Sequence, residues 1–401
     1  MVQAASTSNM ATSQPRQPTK ITMPSVVSPQ TQQRAWHSHI TIDLLFYVLG
    51  RSVFHPAIVF IFWLCLAAVP PHHHRHPLGN PTLYYASFLL FVRLCMLLNH
   101  RITNGPARKV DWEQEIVVIT GGATGLGRTI AELLLIKHKG VKVAVIDVKE
   151  ADETARAWMR PGGEFEGRLS WECIDVRNSA AVKIIAGRIK EDLGMPTMVV
   201  NNAAMAVNGL PLVAGGYEAG LTSQQAERTL MVNSTGNFNT LLVFLGDLMR
   251  SAENGRGATI VTVSSLLAHL NPARLADYNA SKAALSSLHQ TLTHEIARNP
   301  DARIRNGVKT VLVEPGQIHT QLFADITEVP WYANFFGPIL EVNEVAKAIV
   351  QQLESGESGV IRIPFYSKCM PMYAVMPGSM QKFMRWFSGI DRAIVPSKKK
   401  R

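Results

Sequence analysis

The stretch Glu115–Gly127, EIVVITGGATGLG, decides the fold of this chain. Ile116–Ile119 is an unbroken apolar run rich in β-branched residues. That suits a strand buried on both faces of a parallel sheet. Thr120-Gly121-Gly122-Ala123-Thr124-Gly125-Leu126-Gly127 follows at once, and Arg128–Leu135 then carries apolar residues at helical spacing. Strand, glycine turn and helix in that order put a pyrophosphate on a helix N-terminus. Gly121 allows the tight turn, Gly125 lets the backbone approach phosphates, and Gly127 lets helix and strand pack closely. The competing reading is an ordinary glycine-rich turn.

Outward from this unit the pattern keeps alternating. Further strands are expected at Lys142–Ile146 ending in Asp147, at Trp171–Ile174 ending in Asp175, and at Met198–Val200 leading into Asn201-Asn202-Ala203-Ala204. Ala258–Val263 leads into Ser264-Ser265, and Val308–Val313 into Glu314-Pro315-Gly316. Helical segments separate them at Ala180–Leu193, Thr222–Leu248 and Tyr278–Ala297, with Val342–Leu353 and a last strand Val360–Ile363 beyond. This predicts an α/β fold with a doubly wound parallel sheet, whose ligands sit at the C-terminal ends of the strands. Asp147, 20 positions past Gly127, stands where a carboxylate accepts both adenosine ribose hydroxyls and repels a 2′-phosphate. That favours NAD over NADP, although Lys149 nearby keeps NADP open; the plainer reading of Asp147 is a helix N-cap. Tyr278 and Lys282 stand at i and i+4, so a helix carries both on one face. A tyrosine, with an ordinary pKa of about 10, needs a neighbouring cation to act as a base near neutrality.

Together these residues resemble the short-chain dehydrogenase/reductase family. T-G-x-x-x-G-x-G at Thr120–Gly127, N-N-A-A at Asn201–Ala204, Y-x-x-x-K at Tyr278–Lys282 and P-G-x-x-x-T at Pro315–Thr320 carry the likeness over roughly Val110–Pro364. Ala204 replaces the family's usual glycine. The resemblance implies a Rossmann fold and a nicotinamide cofactor. It makes Thr120, Gly121, Gly125, Leu126, Gly127, Asp147, Asp175 and Asn202 the adenosine and phosphate side of the site. Pro315, Gly316 and Thr320 would orient the nicotinamide carboxamide. Ser265, 13 residues before Tyr278, would hold the substrate oxygen. Tyr278 would exchange its proton, with Lys282 supplying the cation and binding the nicotinamide ribose. Asn233 would hold a water linked to Lys282. A homodimer is left open.

The totals narrow the class. The chain has 401 residues, 47% hydrophobic and 17% charged, with a net charge of +10. The excess is partly terminal, in Lys398-Lys399-Lys400-Arg401, and no long basic face argues for nucleic acid. Cys65, Cys95, Cys173 and Cys369 show no metal-ligand spacing and read as reduced thiols. Residues 1–38 read as disordered, and residues 39–100 as a membrane-anchoring region. Its apolar runs are Ile40–Val69, interrupted by Asp43, Arg51, His55 and Pro56, and Thr82–Leu98, broken by Arg93. Either a pair of spans or one span with an interfacial helix fits. His72-His73-His74 between prolines reads as a solvated loop, so no metal is expected. The basic flank Arg101, Arg108 and Lys109 puts the following domain, residues 110–364, in the cytosol.

Residues 365–401 resemble the C-terminal membrane-touching segment of the retinol and 17-beta-hydroxysteroid dehydrogenase branch. Phe323, Trp331, Tyr332, Phe335 and Phe336 lie in what is the family's substrate loop, which suggests a lipophilic substrate. The expectation is a membrane-anchored oxidoreductase of a retinoid, steroid or long-chain lipid. The rivals are an NADPH-dependent keto-lipid reductase and a catalytically silent lipid-surface scaffold. Lys398 and Lys399 resemble a dilysine retrieval signal, which would place the protein in the endoplasmic reticulum; a lipid droplet is the other membrane considered.

Overall fold

The computed structural model of the chain describes residues 41–68, 79–205, 207–215, 219–319, 335 and 337–392. The segment 1–38, the three consecutive histidines, most of the expected substrate loop with Thr320, and the Lys398–Arg401 tail lie outside these.

Seven parallel strands form one sheet in the order β3-β2-β1-β4-β5-β6-β7. They are β1 (Ile116–Thr120), β2 (Lys142–Asp147), β3 (Leu169–Cys173), β4 (Met198–Asn201), β5 (Ala258–Val263), β6 (Val308–Val313) and β7 (Gly359–Ile361). The apolar runs are continuous because successive side chains serve opposite layers. Val117, Ile119, Val143 and Val145 pack against the helices Gly125–Lys137 and Val342–Ser355 on one face. Ile116, Val118, Ala144 and Ile146 pack against Ser179–Asp192 and Gly236–Glu253 on the other. The strand order reverses between β1 and β4, which opens a crevice at their C-terminal ends.

Several boundaries shift by a residue or two, as at β7 and at the helix Ala276–Ala297, and three departures have a physical reason. β3 starts at Leu169, two residues early, because Leu169 pairs with Val143. It is an edge strand with one neighbour, so it lacks the apolar run that marks a central strand. The helix expected over Thr222–Leu248 is three pieces: α-helix Ser223–Leu230, a π-helical turn Met231–Thr235, and α-helix Gly236–Glu253. The run Ile40–Val69 is also broken. Helix α1 (Ile42–Gly50) ends before Arg51, and α2 (Pro56–Ala67) starts afresh at Pro56. A proline has no amide to donate and biases the residue before it toward extended backbone, which His55 adopts. α2 is therefore about 18 Å long, too short to span a bilayer. Helix α3 (Gly79–Asn104) packs against it. Among the described residues, α3 is the one helix long and apolar enough to cross a membrane.

Arg108, counted above as part of a basic flank, is instead buried at the N-terminal end of the sheet. Its guanidinium forks onto Glu115, Nη1 to Oε1 at 2.9 Å and Nη2 to Oε2 at 3.1 Å. Its Nε donates to Thr259 Oγ1 at 2.8 Å, and Thr197 Oγ1 donates to Glu115. The linker from the apolar helices is thereby stapled to the entries of β1, β4 and β5. Removing one partner of a buried pair leaves a desolvated charge. Arg108→Ala is expected to destabilise the protein by about 3–5 kcal/mol, read as a fall in Tm. A loss below about 1 kcal/mol, the level of an exposed pair, would contradict the burial.

Candidate active site

The glycine-rich turn leaves β1 and opens helix α4 (Gly125–Lys137), whose N-terminal amides face the crevice side. A Cβ on Gly127 would sit 2.4 Å from the Gly121 carbonyl, so only glycine lets the helix start this close. Gly125 has φ +58 with open space where its Cβ would be, the shape of a cradle for a phosphate. Leu126 turns into the core beneath.

Two expected cofactor residues act on the cradle itself. Thr120 is buried, and its Oγ1 accepts the Asn202 and Ala203 amides, both at 3.1 Å. The Asn202 side chain donates to the carbonyls of Thr120 and Gly121, both at 3.1 Å. These side chains bind the β1 and β4 loops to each other.

Asp147 closes the other side. Its carboxylate accepts the Ala123 amide at 2.9 Å and the Lys149 amide at 3.0 Å. It is not a helix cap; that role falls to Asp152, which accepts the Ala155 amide. Each Asp147 oxygen has capacity left for a ribose hydroxyl. Asp175, expected near the adenine, is bound by Arg177 at 2.6–2.9 Å. That hydrogen bond holds its carboxyl below the usual range.

Ser265, Tyr278, Lys282 and Asn233 are all buried and come together beyond β5. The helix Ala276–Ala297 presents Tyr278 and Lys282 one turn apart, with the Lys282 Nζ 5.7 Å from the phenol ring centroid. Nζ donates to the Val263 carbonyl at 3.0 Å. Tyr278 hydrogen-bonds Ser265 through its side chain. Burial nonetheless pushes Tyr278 well above its ordinary value, and the Ser265 bond offsets only part of this. Burial lowers Lys282 to about 8. The ligand-free site thus holds a neutral phenol, and Lys282 alone does not make it a phenolate.

The π-helical turn explains how Asn233 reaches the site. The extra residue per turn swings its side chain inward, where Oδ1 accepts the Met205 amide at 2.8 Å and Nδ2 donates to Ser281 Oγ at 3.0 Å. Ser281 Oγ in turn lies 2.7 Å from the Tyr278 carbonyl, so Asn233 is tied to the Tyr278 turn through a residue that the motif leaves unspecified.

Pro315 and Gly316 leave β6, and the Pro315 carbonyl accepts the Leu266 amide at 3.0 Å beside Ser265. The residue before them, Glu314, is fully buried and carries no role in the motif reading. It accepts from His269 Nε2 at 3.0 Å, Ser286 Oγ at 2.8 Å and Arg362 Nε at 2.8 Å. Burial works against its charge, but the hydrogen bonds and the Arg362 charge prevail and hold it below the usual carboxyl range. A charged residue directly after the apolar run Val311–Val313 is the sequence signal that marks it. No group of three or more His, Cys, Asp or Glu side chains suited to a metal occurs among the described residues.

The sequence profile described as short chain dehydrogenase matches residues 115–331, more than half of the chain. This chain belongs to the short chain dehydrogenase family. Membership makes it an NAD(P)-dependent oxidoreductase. It is 29% identical over 282 residues to the uncharacterized oxidoreductase TDA5 of Saccharomyces cerevisiae, covering 70% of this chain and 78% of the relative. Human (Homo sapiens) retinol dehydrogenase 10 is 26% identical over 309 residues, covering 70% and 84%. Estradiol 17-beta-dehydrogenase 11 of Pongo abelii is 29% identical over 288 residues, covering 71% and 83%. The fold matches a short chain dehydrogenase from Burkholderia cenocepacia J2315, solved in complex with NADP, at a TM-score of 0.52 and 21% identity. That comparison covers 69% of this chain and 98% of the other.

The lowered Lys282 value has a stability consequence. Between about 8 and its ordinary 10.5, the unfolded lysine holds a proton that the folded one has lost. Stability from this group therefore rises with pH across that window. In ligand-free protein, Lys282→Met is expected to flatten the rise in Tm over that range. An unchanged pH slope would contradict the burial of the ammonium.

Proposed function

We propose that the protein is a membrane-anchored, NAD-dependent dehydrogenase that interconverts an alcohol and a carbonyl on a lipophilic substrate. The observation that carries the substrate class lies beside Ser265. The C-terminal helix Gly378–Ser388 exposes Met380, Phe383 and Trp386. Arg385, on the same helix, donates to the Leu270 carbonyl at 2.7 Å and the Asn271 carbonyl at 3.2 Å. Those carbonyls end the short helix Leu267–Leu270 that follows Ser265, so an apolar surface is fastened to the segment carrying the serine. The names of the retinol and estradiol dehydrogenase relatives agree with a lipophilic substrate. The exposed apolar side chains of α2 and α3 support the anchor. Arg101 and Lys109 support a cytosolic catalytic domain. Lys398 and Lys399 support the endoplasmic reticulum, with the lipid droplet as the alternative.

The cradle at Gly125 and the free acceptor capacity of Asp147 fit a dinucleotide, and Asp147 disfavours a 2′-phosphate. When bound, the nicotinamide takes up or gives back the hydride. Ser265 holds the substrate oxygen by a hydrogen bond. Tyr278 gives its phenolic proton to that oxygen in reduction and takes it back in oxidation. Lys282 holds the nicotinamide ribose and steadies the phenolate. The neutral Tyr278 of the ligand-free site is ready to donate. In oxidation Lys282 is the residue that would stabilise the phenolate left after Tyr278 gives up its proton.

Full-length protein in liposomes, given NAD and a panel of retinoid, steroid and long-chain alcohols, tests this reading. Tyr278→Phe is expected to lower turnover by about 10²–10⁴-fold and to leave NAD binding intact. Asp147→Ala is expected to shift kcat/KM toward NADP. Turnover of Tyr278→Phe near wild type would overturn the mechanism, and a wild-type preference for NADP would overturn the role of Asp147. Deleting residues 1–101 is expected to reduce the fraction that stays with membranes after a carbonate wash; an unchanged fraction would refute the N-terminal anchor.

A further inference from the structure

Helix α1 is not simply the first apolar helix. Its first turn reaches the far end of the catalytic domain. The Asp43 Oδ1 accepts the amide of Phe365, 322 residues away. One turn further on, Phe46 stacks on the Phe365 ring, with centroids 4.0 Å apart and planes 15° from parallel. Phe365 opens the 3₁₀ helix Phe365–Val375 that follows β7. The second Asp43 oxygen is buried without a partner.

The contact continues inward. Tyr366 is partly buried, and desolvation, reinforced by the Asp43 charge, pushes its phenol above the ordinary value. A Cβ on Gly316 would sit 2.8 Å from the Tyr366 hydroxyl and 2.8 Å from Pro364 Cδ. The Gly316 amide donates to the Ile363 carbonyl at 2.8 Å. The Pro315-Gly316 turn is therefore pressed against residues 363–366, and those residues are held from outside by Asp43 and Phe46. At the other end of β7, His100 in the last part of α3 meets Glu357 at 3.0 Å. The apolar helices thus grip the last strand before and after its run.

We propose that Asp43 is a positioning residue for the cofactor site: helix α1, docked on Phe365 and Tyr366, fixes the Pro315-Gly316 turn. This rests on the reading that the turn seats the nicotinamide end of the cofactor. Asp43 touches neither substrate nor cofactor. It acts through the amide of Phe365, so the acceptor matters and the negative charge does not. Cofactor affinity then depends on the N-terminal apolar region being docked, which couples the membrane-facing part of the chain to the chemistry.

The test is NADH binding to the full chain in detergent, followed by fluorescence titration, with Tm measured alongside. Asp43→Ala is expected to raise the Kd for NADH about tenfold, the scale of one buried hydrogen bond. Asp43→Asn keeps an acceptor oxygen and is expected to stay within about threefold of wild type. Phe46→Ala, with the acceptor intact, is expected to weaken binding by about threefold or more, and it carries the test if Asp43→Ala fails to fold. Wild-type NADH affinity in Asp43→Ala, or in Phe46→Ala, overturns the proposal even if Tm falls, because a merely structural dock lowers Tm alone. Gly316→Ala in the same titration separates the two layers. If it binds NADH like wild type, the underlying reading of the turn fails. If it is weakened while Asp43→Ala is not, only the coupling fails.

Discussion

The clamp between Thr120 and Asn202 is the interaction on which the rest depends. β1 and β4 are neighbours in the sheet but come from different halves of the fold, and the crevice between their ends exists only if both loops hold their places. One buried hydroxyl takes two amides from the β4 loop, and one carboxamide returns two hydrogen bonds to the glycine turn. These four hydrogen bonds cross the switch point. The glycine turn is therefore a fixed cradle and not a floppy loop, and helix α4 can point its N-terminus at a phosphate.

Burial shapes the chemistry as strongly as contact does. Tyr278 is driven toward the neutral phenol and Lys282 is lowered to about 8 by the same loss of water. Both shifts lower the charge that the ligand-free pocket must carry, and both leave the groups responsive to a charged ligand. Glu314 shows the opposite outcome. Donors from His269, Ser286 and Arg362 keep it charged at full burial. It joins the segment after Ser265, the helix of Lys282 and the strand before Phe365 in a single polar knot. The chain spends its buried polar groups on holding three segments around the candidate site together.

Much of this was legible in the residues. β5 and β6 fall at Ala258–Val263 and Val308–Val313 as expected, because both are dominated by β-branched and apolar residues that suit a buried strand. The edge strand β3 gave a weaker signal and a shifted boundary. The i, i+4 spacing of Tyr278 and Lys282 carried through because it depends only on helix geometry. The π-helical turn at Asn233 had no counterpart in periodicity, since one inserted residue looks like ordinary drift in a long helical pattern. The break at Arg51–His55 was marked by Pro56. The docking of Asp43 on Phe365 was invisible, because no local rule links residues 322 positions apart. Arg108 misled for a related reason: a positive charge after an apolar run resembles a topology signal, and only the fold reveals Glu115 beside it.

The central claim is that one dinucleotide lies across the C-terminal ends of β2, β1, β4, β5 and β6, from Asp147 to Gly316. A structure of the full-length protein with NAD bound tests it most directly. The adenosine ribose hydroxyls are expected within hydrogen-bond reach of Asp147, about 3 Å. The pyrophosphate is expected at Gly125 and the nicotinamide ribose on Lys282. NAD bound elsewhere, or bound with its ribose turned away from Asp147 and its nicotinamide away from Tyr278, would contradict it.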